Sequence, residues 1–284
     1  DKLSDRLHDE LTKTFIDKRA SVLAKGLKQD IEFKTEILEK EKVLINGQYI
    51  GILKGLKLQL DLKIDALDAD VKSLKKAARQ NVSPEIISRI KQIIDTGLIE
   101  LKDNFKIYWN NDPIAKLSAG SDYLNPKINL IIDEMIENDD RNKLNEYLNK
   151  WILKKINSEL TSLIELKNIK EENPQLRALA YMLYENNGVI KRSKISDYLN
   201  KINQDDRKKL RKLGVKFGRY HIFLFKLFKP NSVSLRILLW KSYNNKFLNL
   251  SPPTFGLNFV NNMKSTNKDF MLLCGFEKFD DTYV

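Results

Sequence analysis

The chain has 284 residues, 42% of them apolar and 31% charged, and a net charge of +12. That is too apolar for a disordered polymer and long enough for about two domains. A single cysteine, Cys274, and two histidines, His8 and His221, exclude an internal disulfide and a cysteine-cluster zinc site. No apolar run reaches about 18 residues and no hydrophobic leader opens the chain, so a cytoplasmic protein without a membrane span is expected. The start at Asp1 and the abrupt end at Thr282-Tyr283-Val284 predict a piece of a longer protein.

From Leu3 to Lys40 apolar residues recur at helical spacing: Leu3, Leu7, Leu11 and Phe15, then Val22, Leu23 and Leu27. The period then changes. Lys42 to Ile45 and Gln48 to Leu53 flank Asn46-Gly47, a dipeptide suited to a hairpin because both turn positions tolerate positive φ. Helical spacing returns at Leu62 to Ala78, and Ser83-Pro84-Glu85 predicts a second helix, with Ser as N-cap and Pro at N1, that stops at Gly97. A shift of 64 residues lays Val43-Leu44-Ile45-Asn46 on Ile107-Tyr108-Trp109-Asn110, Ile50-Gly51 on Ile114-Ala115 and Leu53 on Leu117. A duplicated hairpin unit at about 42–61 and 106–125 is therefore expected, with Pro113 demanding an edge or turn position.

Asn125-Pro126 predicts the start of a helix with Asp133 and Glu134 on its solvated side. Asp139-Asp140 cap a long helix to about Lys170, with Leu144, Tyr147, Leu148, Trp151, Ile152, Ile156, Leu160 and Leu163 on one face. Pro174 to Asn187 forms the next helix, closed by Gly188, and Ser193 caps a short one. Asp205 or Asp206 starts a basic helix that ends at Gly214. Short helix, basic helix and the run Val215 to Phe228 have the outline of a winged helix-turn-helix, with the basic helix as reader and Val215 to Leu224 as wing. Pro230 opens a helix carrying Val233, Ile237, Leu238 and Trp240, and Ser251-Pro252-Pro253 precedes a small α/β segment in which Cys274 is a buried filler. The expected fold class is mainly α (α+β): helical bundles with two inserted β-hairpin repeats and a small C-terminal α/β piece. The expected domains are 1–172, 173–250 and 251–284.

Between Asn186 and Lys246 sixteen Lys and Arg stand against three Asp (Asp197, Asp205 and Asp206), which leaves the rest of the chain almost neutral. So concentrated a charge suits a polyanion, because each phosphate neutralised releases condensed counterions; the competing explanation is a solvated helix face. The candidates are Arg207, Lys208, Arg211, Lys212, Lys216 and Arg219, with Tyr220 and His221 beside them. Arg207 and Arg211, like Lys208 and Lys212, are four apart and form two adjacent columns on a helix. Columns of this kind touch phosphate rather than read bases, so little sequence preference is expected. Tyr220 suits either stacking on a base or core packing, and Trp109, Trp151 and Trp240 suit the core.

No catalytic residue, metal ligand set or cofactor is expected in this chain. His221 has no Ser, Cys or paired carboxylate near it in sequence to complete a catalytic group. Gly47 to Lys54 lacks the Gly-Lys-Ser/Thr ending of a phosphate loop. Asn129 to Glu134 imitates the apolar strand and Asp-Glu pair that hold magnesium in helicases, but without a phosphate loop it has nothing to serve. The chain alone is expected not to hydrolyse ATP.

LRKLGVKFGRYHIFLFKLFKP and LRILLWKSY, from Leu210 to Tyr243, resemble the region C-terminal to the motor in bacterial relatives of the mitochondrial degradosome helicase, a superfamily 2 RNA helicase. LSDRLHDELTKTFIDKRASVLAKGL resembles the segment following the second motor domain of those proteins. INGQYIGILKGLKLQLD and LNPKINLIIDE resemble their paired hairpins, and GFEKFDDTYV the start of their final conserved segment. One departure is Phe225, where the family pattern has proline. The resemblance implies a non-catalytic accessory region of an ATP-dependent RNA helicase, with ATP and magnesium belonging to motor domains of the same parent chain. RNA, or another single-stranded nucleic acid, is the implied partner. The alternative is a protein-docking module that recruits an exoribonuclease or a ribosomal partner.

Overall fold

The computed structural model describes residues 3, 4, 6, 7, 34–61, 69–258, 260, 261, 267–280, 282 and 283. Most of the helix expected from Leu3 to Lys40 lies outside them; residues 3, 4, 6 and 7 are helical, but the last part is a strand followed by a 3-10 turn at Glu39–Glu41. Thr35–Ile37 is strand β1, the outer member of a four-stranded antiparallel meander with β2 (Lys42–Ile45), β3 (Gln48–Lys54) and β4 (Lys57–Leu60). Alternation explains it: Val43, Ile45, Ile50 and Leu53 are buried, and Asn46 and Gly47 take φ of 48° and 74° in the β2–β3 turn.

A second meander follows: β5 (Ile99–Leu101), β6 (Lys106–Trp109), β7 (Asp112–Asp122) and β8 (Asn125–Leu130). Its first three strands begin 64 residues after their counterparts. Val43 pairs with Gly51 and Ile107 with Ala115, and a bulge follows each pair, between Val43 and Leu44 and between Ile107 and Tyr108. The turn also repeats, Asn110 and Asn111 taking φ of 45° and 69°. Pro113 sits on the interior strand β7 rather than at an edge, in register with Tyr108 at the bulge, where the regular ladder is broken.

Between the meanders runs one helix, α1 (Ala69–Thr96). Ser83-Pro84 does not start a helix; it lies inside this one. The Ser83 hydroxyl donates to the Arg79 carbonyl at 2.9 Å, and Ile86, Ile90 and Ile93 beyond the proline are buried. Burial of that face compensates for the backbone hydrogen bond that proline cannot donate. Arg89, 8% exposed, hydrogen-bonds Glu41, Glu85 and the Gly55 carbonyl and lies 5.9 Å from the Trp109 ring. It ties α1 to both meanders.

The helix expected from Asn125 is a strand. β8 occupies an edge of its sheet, where Pro126 costs no ladder bond. Asp133 is not solvated: it is 1% exposed, its carboxylate accepts from the Leu58 and Met135 amides, and Arg79 Nε lies 3.7 Å away. Glu134 pairs with the same arginine. A carboxylate so engaged has a structural role.

Helical bundles with inserted hairpins are thus the wrong description. Among the described residues the chain forms four antiparallel sheets together with its helices, a mixed α+β fold. Two compact units contain them: residues 1–117 with 128–148, and residues 118–127 with 149–284.

The second unit begins its helical part with the end of α2 (Asn138–Glu159), where Ile152 and Ile156 are buried. The helix expected to reach Lys170 breaks at Leu160, and α3 (Thr161–Lys167) follows. Asn173 caps α4 (Pro174–Glu185), accepting from the Gln175 amide with Pro174 at N1. Gly188, at φ 79°, ends the turn into β9 (Val189–Lys191); a Cβ there would lie 2.3 Å from Leu227.

After a 3-10 turn come α5 (Ser196–Lys201) and α6 (Gln204–Lys212). Asn203, rather than Asp205 or Asp206, caps α6, in a reciprocal box with Asp206. The β10 (Val215–Phe217) and β11 (His221–Leu224) hairpin follows directly, and the sheet order is β10-β11-β9. α7 (Pro230–Asn244) is buried on nearly all sides, α8 spans Lys268–Cys274, and β12 (Val260–Asn261), β13 (Lys278–Phe279) and β14 (Thr282–Tyr283) complete a small sheet. Cys274 packs against the Val233, Ile237, Phe270 and Leu273 cluster, and burial pushes its thiol up to about 12. Among the described residues no helix is long and apolar enough to cross a membrane.

Candidate nucleic-acid interface

All the excess positive charge lies in the second unit, which holds twenty-six Lys and Arg against thirteen Asp and Glu. Its densest part is α6 and the hairpin after it. Leu210 is fully buried and Asp206 5% exposed, so the opposite face, with Lys208, Arg211 and Lys212, is exposed. Lys208 Nζ lies 3.0 Å from Asp205, but both side chains are well exposed, and such a pair is worth about 0–1 kcal/mol.

The two columns expected on α6 do not behave alike. Arg207 is half-buried; its guanidinium donates to the Leu199 carbonyl at 2.8 Å and lies 5.9 Å from the Phe217 ring. Arg211, one turn on, lies 5.4 Å from the same ring and remains exposed. Arg207 therefore positions α6 against α5 and β10, whereas Arg211 lies over the same ring and stays open to solvent. Lys209, on the same helix, is drawn toward Glu171 at 2.5 Å, whose hydrogen bond raises its pKa.

The hairpin continues the exposed cations. Lys216 is exposed on β10, in register with Phe223. In the turn, Gly218 donates to the His221 carbonyl at 2.8 Å, and a Cβ on Gly218 would meet that oxygen at 2.8 Å. Glycine lets the chain reverse there, presenting Arg219 and Tyr220 at the tip. Tyr220 is 60% exposed, so core packing does not hold it. The Arg219 guanidinium lies 5.5 Å from its ring.

His221 is half-buried and turned inward, its Nε2 lying 2.6 Å from Glu277 Oε2. Lys191, its register partner on β9, hydrogen-bonds the other carboxylate oxygen. His221 is thus a structural contact behind the tip of the β10–β11 hairpin. Sequence reasoning also missed Lys191, Arg192, Glu277, Lys278 and Phe279, which line a cleft of about 430 Å³ with Arg219, Tyr220 and His221. Arg192 supports the turn through its amide to the Tyr220 carbonyl and its guanidinium to the Gly218 carbonyl. In sequence, Lys278-Phe279 repeats the cation-aromatic pairing of Arg219-Tyr220, but nothing signals that they are neighbours.

Burial raises the Glu277 pKa, but the Lys191 hydrogen bond and charge, and then His221, hold it below its ordinary value. Between the folded and unfolded values the unfolded chain therefore binds more protons. The stabilisation is complete above the ordinary value of 4.5 and is lost as pH falls through the folded one. Glu277→Gln should flatten the fall in melting temperature as pH drops below the ordinary value of 4.5. An unchanged acid profile would show that the carboxylate is not held by Lys191 and His221.

No protein-family model, curated protein or solved structure matches the chain.

Proposed function

We propose that the second unit carries a winged helix-turn-helix that binds RNA phosphates without catalysing a reaction, as the accessory region of an ATP-dependent RNA helicase. The helicase assignment rests on the sequence resemblance alone. The observation that carries the binding assignment is the direct succession of α6 and the β10–β11 hairpin, which puts Lys208, Arg211 and Lys212 on one exposed element and Lys216 and Arg219 on the next. Sheet order β10-β11-β9, with three helices before the hairpin, supports the winged arrangement. Asp205 at the exposed start of α6 is unsuited to phosphate, which favours contact through the C-terminal half of the helix and the wing.

The test is a salt titration. Five phosphate contacts on a single strand give a log–log slope of affinity against salt of about −3.5, at about 0.7 per contact. Homopolymers of different base should bind within a few-fold of one another. A flat salt response would remove the reading and favour a protein-docking module, whose contacts need no counterion release.

A further inference from the structure

The wing tip faces a second cleft as well as the basic one. It holds about 480 Å³ and is lined by Phe223, Phe225, Phe228 and Leu272, sharing Tyr220, His221, Glu277 and Phe279 with the first. The shared residues form a ridge between a cationic hollow and an aromatic one. Tyr220 is 60% and Phe279 49% exposed, their rings meeting edge to face at 6.4 Å. Two such rings left facing water are a surface that gains by being covered. Arg219 and Lys278, next to them in sequence, line the basic side.

We propose that the tip of the β10–β11 hairpin and β13 together hold one nucleotide of an RNA strand, the base against Tyr220 and Phe279 in the aromatic cleft and its phosphate in the basic cleft. The proposal rests on the RNA-binding reading and adds a base-stacking subsite to it. Each cleft has the size of an ordinary small-ligand site. Charge complementarity selects the occupant: a purely apolar peptide would fill the aromatic hollow but leave the cations at its border unused. A phosphate alone would leave the aromatic hollow empty; a nucleotide has one part for each. The Glu277 carboxylate does not repel it, because Lys191 and His221 both contact that group, and Arg219 and Lys278 remain for the phosphate. Stacking on these rings accepts any base, in keeping with weak sequence preference.

The experiment compares two ligands, oligouridylate and inorganic polyphosphate of matched length, by fluorescence competition on the full chain. Tyr220→Ala and Phe279→Ala should each weaken oligouridylate binding about ten-fold and leave polyphosphate binding unchanged, while Tyr220→Phe retains both. Lys278→Ala should weaken both. Equal losses on the two ligands in the alanine variants, or no loss on either, would overturn the stacking subsite while leaving the cationic interface standing. If the unaltered chain binds polyphosphate but prefers no RNA over it, the subsite also falls. Absence of binding to both ligands would remove the interface itself. A hydrophobic dye bound in the aromatic cleft that saturating oligouridylate fails to displace would assign the cleft to an apolar peptide instead. Circular dichroism melts establish that the exposed-site variants are folded.

Discussion

Arg236→Ala is expected to destabilise the second unit by about 4 kcal/mol, read as a fall in denaturant midpoint with an unchanged slope. Arg236 is the most deeply buried cation described, at 0% exposure on α7. It donates to the Asn187 carbonyl at 2.5 Å and the Leu273 carbonyl at 2.6 Å, and its guanidinium lies 5.1 Å from the Phe228 ring. The Leu273 carbonyl lies in the last turn of α8, where the helix dipole favours a cation, and the Asn187 carbonyl just past the Asn186 cap of α4. Burial pulls the Arg236 pKa down to about 10, so the group is still charged at neutral pH. Burial thus works against the charged form. Two hydrogen bonds from a charged donor offset this at about 1.5–3 kcal/mol each, and alanine leaves a cavity worth about 2–3 more. Arg236→Met fills the cavity but orphans the same carbonyls, so its loss should be about half as large. A methionine variant as stable as the original chain would mean that the two carbonyls do not compensate the buried charge.

Arg211→Glu/Lys212→Glu should weaken RNA binding about 100-fold at about 0.1 M salt. Counterion release there is worth about five-fold per phosphate contact, so losing two contacts accounts for about 25-fold and the introduced repulsion for the rest. Both side chains are exposed on α6 and neither packs in the core, so folding should be preserved. The slope against salt should fall by about 1.4. Lys57→Glu/Lys91→Glu, exposed positions in the nearly neutral first unit, provide the control and should alter binding less than two-fold or so. Equal losses in the two double variants would mean that net charge, rather than α6, attracts the strand.

The 64-residue duplication was legible because it is written in close-range chemistry. Asn46-Gly47 and Asn110-Asn111 supply the positive-φ turns, and alternating apolar residues supply the buried faces on either side. β1 and β5 were not, since three residues carry too little periodicity to distinguish a strand from the end of a helix. Asn125-Pro126 has the local form of a helix start, and Ser83-Pro84 has it too. Both expectations failed because neighbours outweigh a local signal worth about a kilocalorie. A sheet edge accepts Pro126, and the buried isoleucines beyond Pro84 keep α1 continuous.

For the candidate interface, charge is additive and needs no neighbours, so the cationic zone, the capping region of α6 and the glycine-bounded hairpin could all be read along the chain. Which cations are open to a ligand could not. Arg207 and Arg211 carry the same group one helical turn apart, yet one is spent on the Leu199 carbonyl and the other is exposed. Phe279 and Glu277 reach Tyr220 and His221 from more than fifty residues away. By itself the sequence determined the charge, the turns and the repeated alternation, because those depend on each residue and its nearest neighbours. Only the tertiary structure decided the mixed α+β architecture, the burial of Asp133 and Arg236, and the ridge at the tip of the β10–β11 hairpin, because each depends on desolvation and contact between segments far apart in the chain.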